Sequence, residues 1–166
     1  MKFEETYDFD YPVDVIMTMF GDESYYLRKY ERLDGRSAEH IDTTQGKDEF
    51  EITVRYGFGT EEMNLPDMIR SRMPKKVDML QTDRWDLAAN KGRIDIDFEK
   101  TPANVAIDMR MKDNGGKAQM TLGFNIKVEV PMLGGRVEKA ISGPLTRRVW
   151  RDLDISNEMA AEYAGK

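Results

Sequence analysis

Residues 117–136 read KAQMTLGFNIKVEVPMLGGR, and this stretch near the C-terminus decides the fold. From Ala118 to Val130 apolar and polar side chains alternate with a period of two, the pattern of a long β-strand with one buried face. Pro131 ends the strand, and the glycine pair at 134–135 opens an amphipathic helix. Strand and helix would each span about 43 Å. They can therefore lie back to back, which favours a sheet that grips a helix with room for a pocket between them.

The rest of the chain predicts an antiparallel sheet with short helices between its strands. A first strand is predicted at residues 3–9, followed by one helix that starts at Pro12 and a second that ends near residues 34–35. A short helix is predicted at residues 65–73, and a long helix closes the chain. Alternating apolar and polar residues predict further strands at residues 37–43, 50–58, 76–87, 94–98, 105–111 and 118–130. Short turns require these strands to pair antiparallel, with the strongest hairpin signal at Asn114-Gly115.

Length and charge limit the class of protein. The 166 residues are enough for one well-packed domain and short for two, so we expect a single domain over residues 1–166. A formal net charge of −6 disfavours nucleic-acid binding. The sequence has no run of about 18 apolar residues, so we expect no integral contact with a membrane.

The absence of cysteine and the composition of residues 1–5 indicate the cellular compartment in which we expect the protein. The chain contains no cysteine, which excludes disulfides, thiolate zinc sites and cysteine nucleophiles. The acidic residues 1–5 lack the apolar core of a signal peptide. Both observations suit a cytoplasmic protein, and we therefore expect a cytoplasmic location.

Four stretches of the sequence carry a resemblance to a known family. They are YPVDVI at residues 11–16, LPDMIR at 65–70, TDRW at 82–85 and VEVPMLGGRVEK at 128–139. The last is the most specific, because it combines a strand exit, a glycine pair and a helix start. Together with the order of elements, these stretches resemble the bacterial family DUF2505 within the SRPBCC superfamily, whose START/Bet v 1-like domains have the helix-grip fold.

The resemblance covers nearly the whole chain and implies an α+β fold. In the helix-grip fold, a curved antiparallel sheet, here of about seven strands, wraps around a long C-terminal helix. Two short helices follow the first strand, a short helix is inserted within the sheet region, and an apolar cavity is often enclosed. The fold does not imply one reaction, because it hosts lipid carriers, sensors, cyclases and co-chaperones.

The inward faces of the predicted elements form a candidate ligand-binding cavity, which the inserted helix would cover at one end. Its residues are Val54, Tyr56, Met68, Ile69, Met73, Trp85, Ile96, Phe98, Ile107, Met109, Met120, Leu122, Phe124, Ile141 and Leu145. The chain has twelve methionines, and half of them fall on predicted inward faces. Flexible methionine side chains suit a cavity that adapts to an apolar ligand, and the alternative is ordinary core filling. Both alternatives stay open, because core and cavity wall are the same surface in this fold.

Two local features each allow a structural and a functional interpretation. The indole N–H of Trp85 needs a hydrogen-bond partner when buried, so this residue belongs either to the core or to a cavity wall where a ligand oxygen is the acceptor. Gly143-Pro144 either divides the final segment into two helices, with Ser142 as an N-cap, or bends one helix at the cavity mouth.

Several polar residues that often carry chemistry are predicted to lie on the surface. His40 is the only histidine and lies in a polar strand, so we expect no histidine-based metal site or triad. Asp95, Asp97 and Glu99 have the spacing of the solvent face of a strand, although such a stripe can also bind a hard cation. The basic cluster at residues 147–151 is predicted to be a solvated helix face.

The leading hypothesis is a binding or carrier protein for a small apolar ligand such as a lipid, a quinone or a polyketide-like compound. The sequence lacks the phosphate-binding, dinucleotide-binding, zinc-protease and nucleophile-elbow motifs, so we expect no enzyme activity, no cofactor and no metal. The expected partner is a hydrophobic small molecule, without nucleic acid and without integral membrane contact. The expected state is a monomer or a weak homodimer.

Two alternative functions use the same fold differently. The first is a cyclase or aromatase type of enzyme that uses the same cavity, with interior-facing Asp83 or Tyr56 as the acid or base. The second is a co-chaperone-like interaction module that uses the outer sheet face or the basic turn of the last helix. A filled core would favour the module, whereas a cavity would favour binding, and an ordered polar pair inside it would favour catalysis.

Overall fold

The structure is a computed structural model that describes residues 1–35, 37–63 and 65–165, with Glu62 described by its backbone alone. Seven strands occur among these residues: β1 Lys2–Asp8, β2 Glu39–Gln45, β3 Glu49–Gly59, β4 Lys76–Asp86, β5 Lys91–Phe98, β6 Ala103–Asn114 and β7 Lys117–Val128. They form one sheet in the order β1-β7-β6-β5-β4-β3-β2, and every neighbouring pair is antiparallel.

The helices lie where the sequence predicts them. Their bounds are α1 Val13–Phe20, α2 Glu23–Asp34, α3 Asp67–Arg70 and α4 Gly134–Met159, with short 3-10 helices at Thr60–Glu62 and Ala160–Glu162. The long helix α4 packs against β7 and against α2. This arrangement confirms the predicted α+β helix-grip architecture. None of the helices formed by the described residues combines the length and apolar character that a membrane crossing requires.

The concave face of the sheet is built from the alternating residues of the strands. On β7 every second residue from Ala118 to Val128 is buried, as the two-residue period predicts. In the register of the sheet, the inward residues of neighbouring strands stand side by side, for example Leu122 beside Met109. Buried side chains on the strands are apolar at every described position except Gln81 and Asp83 of β4. The core therefore has one polar region at its centre.

The final helix is continuous, so of the two alternatives that the sequence left open at Gly143-Pro144, the division into two helices is wrong. The helix α4 runs through Pro144 without a break. Proline in a helix interior costs about 3 kcal/mol, because it lacks an N–H and crowds the preceding turn. Burial of Ile141 and Leu145 on either side offsets this cost. Ser142, the predicted N-cap, instead donates its hydroxyl to a carbonyl of the preceding turn.

The β6–β7 hairpin turns one residue later than predicted. Gly115 and Gly116 have φ angles of 64° and 88°, whereas Asn114 is the last residue of β6. A two-residue turn with positive φ at both positions matches the twist of the flanking strands. Two glycines adopt it at less cost than asparagine and glycine, and this explains the shift.

The inserted helix is shorter than predicted. Only α3, with four residues, is helical, and turns continue to residue 73. Pro74 contributes to this early end, because the residue before a proline avoids helical backbone angles. Met68 was predicted to lie on an inward face, but the structure leaves 53% of it exposed. The predicted burial is therefore wrong for Met68.

Replacing Gly134 with alanine is expected to lower the free energy of unfolding by about 1–3 kcal/mol. A Cβ at this position would lie 2.3 Å from the Val128 carbonyl oxygen, so the start of α4 would have to move away from the end of β7. Gly135 is the matched control, because a Cβ there meets nothing within 4 Å. Its alanine variant should be neutral or more stable by up to about 1 kcal/mol. Denaturant unfolding measures both, and equal losses would contradict the close approach.

Candidate functional site

An apolar pocket of about 250 Å³ opens at one end of the sheet. Its walls come from residues 63 and 68–74, from the β5–β6 connection at residues 98–103, and from residues 128–141, which include the end of β7 and the first turns of α4. The lining residues are Met63, Met68, Ile69, Arg72, Met73, Pro74, Phe98, Lys100, Thr101, Pro102, Ala103, Val128, Val130, Leu133, Val137 and Ile141. The pocket thus lies between sheet and helix at the end that the inserted segment covers.

Three of the lining side chains are polar, and two of them carry a positive charge. Arg72 and Lys100 are exposed and come from two different walls. Neither forms an ion pair with any residue that the structure describes. Thr101 uses its hydroxyl within the turn, since it donates to the Phe98 carbonyl at 2.7 Å and accepts from the Ala103 N–H at 3.2 Å. No carboxylate is found among the described lining residues.

A small void continues from the pocket toward the centre of the molecule. It measures about 10 Å³ and shares Met63, Phe98 and Ile141 with the pocket. Its inner wall includes Leu145 and Arg148. A space of this size barely holds one water molecule. The shared side chains therefore separate the pocket from the interior, and their movement would join the two spaces.

The structure brings together a minority of the predicted cavity residues. Five of the fifteen line the pocket: Met68, Ile69, Met73, Phe98 and Ile141. Leu145 lines the small void behind it. The other nine are buried in the core and line neither space: Val54, Tyr56, Trp85, Ile96, Ile107, Met109, Met120, Leu122 and Phe124. A ligand contact for these nine stays a prediction.

Eleven of the residues that line the pocket were not predicted, and the periodicity of the sequence indicated only some of them. Val128, Val130 and Val137 follow the same strand and helix periods that marked the predicted residues. Residues 100–102 come from a turn, Ala103 is the first residue of β6, and Arg72 comes from the exposed part of the inserted segment. Local periodicity does not show which turn closes a cavity, so these residues were found only in the structure.

Three tyrosines of α2 fill the centre of the concave face. The Tyr26 ring stacks on Phe50 with 5.5 Å between ring centroids, and Tyr30 lies 5.2 Å from Tyr56. Tyr25 is buried beside them. These rings occupy the space over β3 and β4 that the sequence assigned to a ligand. The cavity is therefore restricted to one end of the sheet.

A buried hydrogen-bond chain crosses from β3 to β4 at this centre. Tyr56 donates its hydroxyl to Gln81 Oε1 at 2.7 Å, and Gln81 Nε2 donates to Asp83 Oδ1 at 2.8 Å. Burial raises the pKa of the Asp83 carboxyl, and the Lys29 charge and the Gln81 hydrogen bond oppose this only in part, so the pKa is about 6. The prediction that Asp83 and Tyr56 face the interior is confirmed. Their acid or base role stays a prediction.

Lys29 of α2 brings a positive charge into this buried region. Its side chain is within the core, with 2% of the residue exposed, and Nζ lies 3.0 Å from Asp152 Oδ2. Nζ also lies 4.7–5.4 Å from the ring centroids of the three α2 tyrosines. Burial by itself lowers the pKa of Lys29, but the charges of Asp152 and Asp83 outweigh it and raise the pKa above its usual value. The ammonium group therefore stays charged at neutral pH.

Asp83 makes the stability of the protein depend on pH. Folding raises the pKa of its carboxyl from 3.8 to about 6, so the folded protein holds this proton more tightly than the unfolded chain. The resulting stabilisation is present below about pH 4 and is lost as the pH rises through about 6. Asparagine does not titrate, so the variant Asp83→Asn should not lose this stabilisation as the pH rises. Relative to wild type, the free energy of unfolding of the variant should rise by up to about 3 kcal/mol between about pH 4 and pH 7.

Denaturant unfolding at several pH values measures this difference. Asp97, on the exposed side of β5, is the matched control, and its asparagine variant should change the free energy of unfolding by no more than about 0.5 kcal/mol, as for other surface positions. A constant difference for Asp83→Asn would contradict a raised pKa of the buried carboxyl.

The basic cluster at residues 147–151 is not a solvated face at every position. Arg148 donates from Nη1 and Nη2 to the two carboxylate oxygens of Asp34 at 2.7 and 3.0 Å. Its side chain is largely buried. The prediction is wrong for this residue, because Arg148 continues the helical spacing of Ile141 and Leu145 and so lies on the buried side of α4.

His40 and the acidic stripe of β5 lie on the surface, as the sequence predicts. His40 is exposed, and its Nε2 lies 2.7 Å from the hydroxyl of Thr43. Asp95 forms ion pairs with Arg84 and Arg93 on the outer face of the sheet. Within the described part of the chain, no three acidic or histidine side chains are grouped to hold a metal ion.

Trp85 lies in the core rather than at the pocket. Its ring stacks on Phe20 with 4.8 Å between centroids. Among the described residues, the indole N–H finds no acceptor at hydrogen-bond geometry. Trp85 is buried where α1 packs on the sheet, and its contacts are those of a core residue.

A curved antiparallel sheet that holds a long C-terminal helix, with an apolar pocket between them at one end, is the arrangement of the helix-grip fold. The chain belongs to the family described as "Protein of unknown function (DUF2505)", whose profile matches residues 4–158. The family match confirms the resemblance carried by the four sequence stretches.

Solved structures of other proteins share this fold at low sequence identity. The Zhui aromatase/cyclase from Streptomyces sp. R1128 is 11% identical, with 97% of this chain and 93% of that chain covered and a TM-score of 0.64. Norcoclaurine synthase from Thalictrum flavum is 12% identical, with 100% and 89% covered and a TM-score of 0.62. A START superfamily protein from Mycobacterium smegmatis is 11% identical, with 95% and 97% covered and a TM-score of 0.56. No curated protein matches the sequence. These similarities show the fold alone.

Proposed function

We propose that this protein binds a small apolar molecule in the pocket at the end of its sheet and acts as a binding or carrier protein. The observation that carries the proposal is the pocket wall, in which thirteen of the sixteen described lining residues are apolar. A concave apolar site with few polar groups is typical of small-molecule binding sites. Burial of ligand surface there, at about 25 cal/mol per Å², would supply most of the affinity.

The dimensions of the pocket limit the ligand. Its volume of about 250 Å³ lies just below the range of roughly 300–1,000 Å³ for typical ligand sites. A short chain or a small ring system, such as a small quinone or polyketide-like compound, fits this space better than a whole membrane lipid. Met63, Met68 and Met73 line the wall on the side of the inserted segment. Their flexible side chains allow the wall to adapt to ligands of different shape.

An enzyme that uses the same cavity is the second candidate, and one observation favours it. The small void behind the pocket reaches Arg148, whose guanidinium carbon lies 4.7 Å from the centroid of the Tyr56 ring. Tyr56 is joined through Gln81 to Asp83, whose carboxyl has a pKa of about 6. A carboxyl with a pKa near neutrality suits general acid or base catalysis. A ligand that displaced the side chains around the void would approach this chain.

The interaction-module hypothesis gains no support from the basic turn of the last helix. Arg148 binds Asp34, and Arg151 donates to the Leu33 carbonyl at 2.8 Å, so both are engaged within the chain.

We also propose that residues 1–166 form one domain, which acts as a monomer or a weak homodimer and binds no nucleic acid. We propose a cytoplasmic location, because a chain without cysteine suits a reducing compartment.

Native mass spectrometry of protein purified without denaturation tests the proposal. We expect an added mass that corresponds to a small apolar molecule. The variant Val130→Trp, whose indole would occupy the pocket, should lose this mass. The matched control Ile41→Trp changes an exposed residue of β2 outside the pocket and should keep it. An added mass retained by Val130→Trp would place the ligand elsewhere. A wild-type protein that carries no added mass and takes up no decanol would contradict the proposal.

A further inference from the structure

The pocket wall carries a charge opposite to that of the whole chain. The chain has a formal net charge of −6, yet the charged side chains among the described residues that line the pocket are the cations of Arg72 and Lys100. Neither is paired with a described residue. Two unpaired cations beside an apolar pocket are complementary to an anionic group on a ligand.

The acidic residues nearest in sequence do not neutralise these cations. Glu99 precedes Lys100, but both of its carboxylate oxygens accept hydrogen bonds from Arg55 at 3.1 Å. Asp67 lies at the start of α3 and is 3.7 Å from Arg70. Among the described residues, the positive charge at the pocket is therefore not used within the chain.

Lys100 also has an unusual backbone conformation. Its φ angle is 64°, in the left-handed region that residues with a Cβ adopt only at a cost. Thr101 fixes the turn, because its hydroxyl donates to the Phe98 carbonyl at 2.7 Å. Glycine or asparagine would adopt this conformation more easily. A lysine at this position forms part of the pocket wall, which is consistent with a role for its charge.

We infer that the ligand of the pocket is an amphiphile whose apolar body lies against the methionine and valine wall and whose anionic head group, a carboxylate in its simplest form, contacts Arg72 and Lys100. This inference rests on the proposed function. The apolar wall supplies most of the affinity, and the two cations orient the ligand and select the sign of its charge. Because both cations are exposed to water, each adds a modest amount that salt weakens.

Isothermal titration calorimetry with decanoate and decanol near neutral pH tests this inference, because the two probes share a chain and differ in head group. Decanoate should bind more tightly, on the order of fivefold, and the preference should shrink as salt is added. Decylammonium, with the opposite charge, should bind least. Equal binding of the three probes would overturn the inference and leave the proposed function intact. Absence of binding for all three would instead contradict the proposed function itself.

A pair of double variants shows whether the two cations cause the preference. Arg72→Gln with Lys100→Gln should abolish the preference, so that decanoate and decanol bind this variant with equal affinity. Lys47→Gln with Lys112→Gln makes the same change in net charge at exposed positions outside the pocket, and should keep the preference. If both double variants lost it equally, a general charge effect would be responsible and the inference would be overturned.

Discussion

Replacing Lys29 with methionine is expected to lower the free energy of unfolding by about 3–5 kcal/mol, because it leaves the buried Asp83 and the half-buried Asp152 without their counter-charge. Lys29 Nζ is 3.0 Å from Asp152 Oδ2, and its charge also opposes the raised pKa of Asp83. Methionine has a similar length, so the change tests charge more than volume. Denaturant unfolding followed by circular dichroism measures the loss.

The matched control for this variant is Lys127→Met. Lys127 forms an ion pair of similar length with Glu129, 2.9 Å, but both side chains are exposed. Exposed pairs contribute about 0–1 kcal/mol, so this variant should lose little. The double variant Lys29→Met with Asp152→Leu should recover part of the stability, because it removes one of the unpaired charges. Equal small losses at Lys29 and Lys127 would show that the interior is wetter than the structure indicates.

Replacing Phe124 with alanine is expected to cost about 3–5 kcal/mol, because its ring fills the core and not the pocket. Phe124 is buried on β7, and its ring stacks on Phe3 with 4.6 Å between centroids and 5° between planes. Its main-chain neighbour on β6 is the buried Ile107. No smaller side chain can fill this space without leaving a cavity.

The comparison variant is Met68→Ala. Met68 lines the pocket and is largely exposed, so its removal should cost no more than about 0.5 kcal/mol, as for other surface positions. Thermal or denaturant unfolding separates the two variants. A loss at Phe124 as small as that at Met68 would mean that the cavity extends along β7, as the sequence alone suggested.

The fold could be predicted in detail because its signals are local. The alternation on β7, the short turns between strands and the glycine pair before α4 are each visible in a few adjacent residues. The error at the hairpin is also local and has a steric cause, because the turn moved by one residue to place two glycines at positive φ. The alternatives at Pro144 were decided by packing, because Ile141 and Leu145 on either side of it are buried.

The candidate site was harder to predict, because it depends on which part of the concave face is left unfilled. The sequence shows that a face is buried but not what covers it. Tyr25, Tyr26 and Tyr30 of α2 cover the centre, and this leaves the space at the end near Lys100. No local pattern links α2 to β3 and β4, since that contact depends on the packing of whole elements.

The burial of two charged side chains, Lys29 and Arg148, could have been predicted from the helical spacing of their apolar neighbours. Lys29 is three and four residues from Tyr26 and Leu33 on α2, and those residues form its buried side. Arg148 continues the buried side of α4 in the same way. A charge at such a position predicts a buried partner of opposite sign, and Asp152 and Asp34 are those partners.

The central claim is that the pocket at the end of the sheet binds an apolar molecule, and the methionine methyl groups report on it directly. Three of the twelve methionines, Met63, Met68 and Met73, line the pocket, whereas Met19 and Met120 are buried in the core away from it. In a protein labelled with ¹³C at the methionine methyl groups, titration with decanoate and, separately, with decanol should shift the three pocket signals saturably. The signals of Met19 and Met120 should stay in place. Unchanged pocket signals with both ligands, or equal shifts at Met19 and Met120, would contradict the claim.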